Sequence, residues 1–121
     1  PVAFVRAAVS EAIETLVAEG AQFDAVFAGS DVLAMTAIST LRQLGREVPR
    51  DVMVAGYDDI ELSAHFHPPL TTVRQPIHEA GQALVASLLA QLEGKRGEQR
   101  LLPTDLVVRE STTLREPVSP G

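Results

Sequence analysis

Two polar clusters follow two short apolar runs in this chain. Ala25-Val26-Phe27-Ala28 leads into Gly29-Ser30-Asp31, and Val52-Met53-Val54-Ala55 leads into Gly56-Tyr57-Asp58-Asp59. Side chains at such places suit the binding of a polar ligand, because carboxyl and hydroxyl oxygens there can accept and donate hydrogen bonds. Each also has a plainer reading. Gly-Tyr-Asp-Asp is good turn chemistry, and Ser30 or Asp31 can cap a following helix. Gln75, just before Pro76, can cap the next helix, and Arg74 and Tyr57 can line a polar mouth. His65 and His67 are two apart and His78 is distant, so the third and fourth ligands of a closed metal site are missing. Gly29-Ser30-Asp31 lacks the GxSxG elbow of a hydrolase, and Gly29 and Gly56 stand alone rather than in a phosphate-cradling loop. From the residues alone a turn, a helix cap and a ligand site all stay open, with no catalytic residue, cofactor or metal implied.

The elements that must position these residues are readable from periodicity. Val5, Ala8, Val9, Ala12, Ile13, Leu16 and Val17 share one face of a first helix, which stops at Gly20. A second helix from about residue 31 to 44 carries Ala34, Ala37, Ile38, Leu41 and Leu44, and Gly45 ends it. A short helix is expected over residues 60–65, halted by Pro68-Pro69. Residues 71–74 are β-branched enough for a third strand. Pro76 opens a third long helix whose buried face is expected to be Ile77, Ala80, Leu84, Leu88 and Leu92. A last strand is expected at 105–109 and a loose tail at 116–121. Alternating strands and helices specify an α/β fold with a parallel sheet and flanking helices. In such folds the carboxyl ends of the strands gather the polar side chains, which puts Ser30-Asp31 and Asp58-Asp59 on one rim.

Composition narrows the classes. The chain has 121 residues, 45% of them hydrophobic, enough for one domain with a core of mainly aliphatic side chains. Sixteen acids against ten bases give a net charge of −6, with no basic run, so this segment by itself repels a phosphate backbone. Cysteine is absent, which removes disulfides and thiolate sites and is compatible with the cytoplasm. No apolar stretch approaches the ~20 residues that span a bilayer, so no membrane partner is expected. The chain opens at Pro1 with no initiator Met and no signal-peptide pattern, as expected of a piece of something longer.

Three ordered motifs add a resemblance. FDAVFAGSD at 23–31, VAGYDD at 54–59 and PPLTTVRQP at 68–76 resemble the ligand-binding lobe of the lac repressor (LacI/GalR) family of transcription regulators, over roughly residues 23–113. The resemblance implies a flavodoxin-like lobe of a type I periplasmic-binding-protein-like fold, present incompletely. Residues 1–75 and 103–113 would form the carboxyl-terminal lobe, and 76–102 would cross to the amino-terminal lobe. Asp58 matches the acid that bonds ligand hydroxyl or ring-nitrogen groups, and a carboxylate accepting two adjacent hydroxyls suits a sugar-like polyol. Asp59 is expected to be structural. Ser30 stands where the family usually has Asn, Gln75 lies near the hinge and cleft, and Thr36 stands where Gly is frequent. The ligand set implied is thus Asp58, Ser30 and Gln75. A homodimer is implied through Leu33, Met35, Ile38, Leu62 and Phe66, with exchange of the helix at 76–94 or the last strand between chains as one route to it. DNA would be bound only through a head segment that this chain lacks, in a cytoplasmic regulator answering to a small sugar-like or purine-like effector. A solute-binding protein of a transporter, or an enzyme of flavodoxin-like architecture, are the alternatives on the same fold.

Overall fold

The computed structural model describes residues 2–97 and 99–114. The loose tail expected at 116–121 lies outside them. The first helix, α1 (Val2–Ala18), lies against α2 (Asp31–Gln43). Its contact is a seam of residues four apart: Ile13 is buried, and Val9 and Val17 pack partly against the core. The broader stripe expected for α1 is not buried, since Val5, Ala8, Ala12 and Leu16 are all exposed. A helix covered by a single neighbour buries only the rows that face that neighbour. Gly20, at φ +75°, closes α1 by sending its N–H to Val17 O (3.1 Å) while Ala21 N–H reaches Leu16 O (3.0 Å).

The strands β1 (Ala25–Phe27) and β2 (Met53–Ala55) pair in parallel, with Val26 opposite Val54, and α2 connects them. Ala34, Ala37, Ile38 and Leu41 of α2 meet Val52, Val54 and Leu70 in the sealed core. Beyond β2 come a short helix α3 (Glu61–His65), the strand β3 (Thr72–Arg74), the helix α4 (Ile77–Leu92), the strand β4 (Asp105–Val107) and a 3-10 turn over Glu110–Thr112. The start of β3 continues the sheet beside β2 through a parallel bridge between Ala55 and Thr71. Its other edge departs from the expected parallel order, because β4 pairs with it antiparallel, Val73 opposite Leu106. Strand-like composition at 105–109 carries no direction, and here the chain returns against β3. Ser111 then ties the 3-10 turn to the sheet, donating to Val54 O (2.6 Å) and accepting from Thr71 N–H (2.8 Å).

Two other expectations are corrected. The face of α4 expected to be buried is open to solvent: Ile77 is 69% exposed, Leu84 73% and Leu92 78%, with Ala80 and Leu88 exposed as well. Helical periodicity shows that a face is apolar and does not show what covers it. Of the residues expected on a dimer face, Ile38 is completely buried and Met35 nearly so, both in this chain's own core. They sit on the side of α2 that turns inward. Leu33 and Phe66 are half-buried and Leu62 is 54% exposed, so these three keep surface to offer.

Candidate functional site

The carboxyl ends of β1, β2 and β3 converge on one rim, as their parallel alignment requires. Ala28 N–H bonds Ala55 O (2.9 Å), and Asp31 N–H bonds Tyr57 O (2.9 Å), so the loops after β1 and β2 lie side by side. Asp58 N–H bonds Val73 O (3.0 Å), which brings β3 and the residues after it to the same place.

The turn itself has an uncommon backbone. Asp58 has φ 116° and Asp59 φ 52°, positive values that L-residues seldom adopt and that cost of order 1–3 kcal/mol each. Three consecutive amides are held by two elements, β3 and the start of α2. Asp58 N–H goes to Val73 O, Asp59 N–H to Thr72 Oγ1 (3.2 Å), and Ile60 N–H to Asp31 Oδ2 (2.9 Å). Such a turn is over-determined by its surroundings, which is how a strained backbone persists.

That turn sends the two aspartates in different directions. Asp58 is half-buried, and its Oδ1 accepts from Gln75 Nε2 at 2.8 Å. Asp59 faces two guanidinium groups, accepting from Arg74 Nε (2.7 Å) and Arg109 Nη2 (2.9 Å). Burial pushes the Asp59 carboxyl up, but hydrogen bonds and charge from Arg74 and Arg109 outweigh it and hold the group below its ordinary value of 3.8. Arg109 also donates to Leu70 O (2.9 Å), so it fastens the return strand to the rim. Asp59 is thus committed to structure, whereas Asp58 keeps its second carboxyl oxygen unbonded by protein among the described residues.

Of the three expected ligand residues, the structure joins Asp58 and Gln75 directly. Ser30 lies on the neighbouring loop and is the cap of α2, its Oγ accepting from Leu33 N–H at 3.3 Å. The cap bond uses an acceptor lone pair and leaves the hydroxyl hydrogen to donate elsewhere. Arg74, one of two further residues considered for the mouth, is taken up by Asp59, and Thr36 turns its hydroxyl back to Val32 O (3.0 Å). Among the described residues no group of three or more His, Cys, Asp and Glu is placed to hold a metal ion, and no helix is long and apolar enough to cross a membrane.

Two residues at this rim were not singled out by their sequence context. Arg109 looked like the end of a strand. Asp31 looked like an alternative cap for α2, yet its side chain turns inward and is completely buried. Its Oδ1 accepts from Thr72 Oγ1 (2.5 Å), and its Oδ2 from Ser63 Oγ (2.5 Å) as well as from Ile60 N–H. Gly56 passes over this group so closely that a Cβ there would run into the Asp31 carboxyl and come within 3.1 Å of Leu70 Cδ2. The glycine in Gly-Tyr-Asp-Asp is therefore a matter of space, as its backbone must lie against a buried carboxyl group.

Comparison with known proteins places this rim in context. The model of the periplasmic binding protein-like domain family matches residues 2–112. The transcriptional repressor PurR of Aliivibrio fischeri, a helix-turn-helix-type regulator, is 40% identical over 116 residues, covering 93% of this chain and 34% of that protein. A solved complex of the transcriptional regulator CelR with cellobiose superposes with a TM-score of 0.80 at 37% identity, over 88% of this chain and 33% of that one. The lac repressor dimer bound to operator and the anti-inducer ONPF gives a TM-score of 0.80 at 34% identity, over 88% and 32%. The chain spans about a third of the length of these relatives.

Proposed function

The chain belongs to the periplasmic binding protein-like domain family, within the LacI/GalR group of effector-binding domains, and from this we propose that it supplies one wall of an effector cleft in a bacterial transcription regulator. Residues 1–75 and 103–113 form the carboxyl-terminal lobe in this reading, and 76–102 crosses toward the amino-terminal lobe. The ligand is a small polyhydroxyl molecule of the sugar class. Asp58 accepts from its hydroxyls, Gln75 orients Asp58 and offers its remaining amide hydrogen, and Ser30 donates from the adjacent loop.

The observation that carries the reading is the Asp58–Gln75 hydrogen bond at 2.8 Å, set on the carboxyl rim by a turn whose amides at residues 58, 59 and 60 are each bound. A carboxyl group paired with a neutral amide retains acceptor capacity for a ligand, unlike Asp59 with its two arginines. Relatives that are transcriptional regulators support this over a transporter's solute-binding protein. The same kinship supports a chain that carries no enzymatic step in a cytoplasmic protein. With a net charge of −6, the chain leaves DNA contact to a separate helix-turn-helix segment of the regulator. Ligand closure of two lobes then biases operator affinity by population shift. Self-association through Leu33, Leu62 and Phe66 completes the unit. Titrating a panel of mono- and disaccharides, cellobiose among them, into the full-length regulator by calorimetry tests the proposal. Saturable 1:1 binding that also changes operator affinity is expected; sugar binding with no effect on operator affinity would contradict it.

A further inference from the structure

The Asp31 carboxyl group is the most deeply buried titratable side chain at the rim, and no guanidinium, ammonium or imidazole group approaches it among the described residues. Its partners are three donors from two elements: the Thr72 hydroxyl of β3, the Ser63 hydroxyl of α3, and the Ile60 N–H at the entry to α3. A buried carboxyl group is costly unless its oxygens are bonded, so a fold that retains one there must have all three donors in place. Capping does not account for it, because Ser30 already caps α2. Nor is it a surface ligand group, since it has no exposure at all.

Two of the three donors lead to the turn. Thr72 receives the Asp59 N–H on the same oxygen that donates to Asp31, so Asp59 N–H, Thr72 and Asp31 form a continuous chain of bonds. Ile60 N–H ends directly on Asp31. Two of the three amides that fix the positive-φ backbone of Asp58 and Asp59 thus depend on Asp31, directly or through one hydroxyl. Asp31 also starts α2, whose outer side borders a surface groove of about 350 Å³ shared with Ile60, Leu62 and Phe66. Through Ser63 it grips α3, which carries Leu62.

We infer that Asp31 is a positioning residue: its buried carboxyl group sets the Asp58–Gln75 seat and locks that seat to the α2–α3 groove, so that movement at one is felt at the other. The seat is that of the effector reading above, and the inference rests on it for its purpose, though not for its test. Asp31 touches no effector itself; it acts through the backbone of residues 58–60.

The test needs no effector. In the intact protein, Asp31→Asn places an amide donor against hydroxyls and an N–H that are themselves donors. Side-chain amide resonances report the Gln75–Asp58 bond, and amide hydrogen exchange reports the turn. For Asp31→Asn we expect the Gln75 side-chain signals to move toward those of a solvated glutamine. Exchange at Asp59 and Ile60 should quicken by about tenfold or more while Val52 and Val54 keep their protection. An unchanged Gln75 signal with unchanged exchange at residues 59–60 would overturn the inference. So would a uniform loss of protection across turn and core, which is the mark of a merely structural role. If Asp31→Asn does not fold, Thr72→Val breaks only the link between Asp31 and Asp59 N–H, and the same two readouts at Gln75 and Asp59 decide. Failure of sugar binding in the regulator would remove the effector reading and leave these results standing, so the two failures are distinguishable.

Discussion

Gln75 and Asp58 lie seventeen residues apart and meet through one hydrogen bond of 2.8 Å, Gln75 Nε2 to Asp58 Oδ1. One stands at the exit of β3 and the other at the exit of β2, so the bond closes the rim across two strands. It also separates Asp58 from its neighbour: Asp58 is oriented by a neutral amide and Asp59 is neutralised by arginines. Consecutive acids with opposite fates give the site its logic.

The two arginines on Asp59 should differ in worth. Arg109 and Asp59 are 16% and 10% exposed at their side chains, whereas Arg74 is 56% exposed. Arg109→Ala removes a shielded charged bond and the bond to Leu70 O, and should cost about 2–3 kcal/mol. Arg74→Ala, at an exposed pair, should cost less than about 1 kcal/mol. Urea denaturation of both variants checks the ranking, and equal losses would contradict it.

Stability should carry the signature of Asp59 in acid. Its carboxyl is held below the ordinary value of 3.8 in the folded protein. A group depressed by folding contributes fully above its unfolded value, and the contribution is lost as pH falls through the folded one. The stability gap between wild type and Asp59→Asn should therefore be constant from pH 7 down to about pH 5 and shrink below about pH 4. Urea midpoints across pH 3–7 measure it; a gap that widens in acid would reverse the assignment.

Much of the scaffold was legible because it follows local rules. The apolar runs at 25–28 and 52–55 locate β1 and β2, and the stripe Ala34, Ala37, Ile38 and Leu41 locates the buried side of α2. The rim was legible too, since parallel strands must end together. What escaped has physical reasons. Asp31 after Ser30 reads as a helix cap, and nothing local shows that its side chain turns into the protein to meet Ser63 and Thr72, thirty-two and forty-one residues away. Arg109 gave no signal because its partner Asp59 is fifty residues distant. The antiparallel return of β4 and the exposure of α4 are likewise tertiary facts. Periodicity names an apolar face such as Leu84 and Leu88 without naming its cover.

Ile38 and Leu62 should separate folding from self-association. Ile38 is completely buried, so Ile38→Ala should cost about 2–5 kcal/mol of stability. Leu62 is 54% exposed, and Leu62→Asp should leave the urea midpoint nearly unchanged while shifting the protein toward monomer. Light scattering at matched concentrations reads the second effect. A monomer fraction unaltered by Leu62→Asp would remove α3 from the proposed interface.

Asp58, and not Asp59, is the residue proposed to bind the effector. Calorimetric titration of the full-length regulator with cellobiose, or with the sugar its panel identifies, compares Asp58→Asn with Asp59→Asn most directly. Losing a charged hydrogen bond of about 1.5–3 kcal/mol predicts that Asp58→Asn weakens effector binding roughly tenfold to hundredfold, with operator affinity in the absence of effector little changed. Asp59→Asn should lower stability and move effector affinity by less than about threefold, since its carboxyl serves Arg74 and Arg109. Equal effects of the two variants, or no effect at Asp58, would contradict the account and leave the turn with a structural role alone.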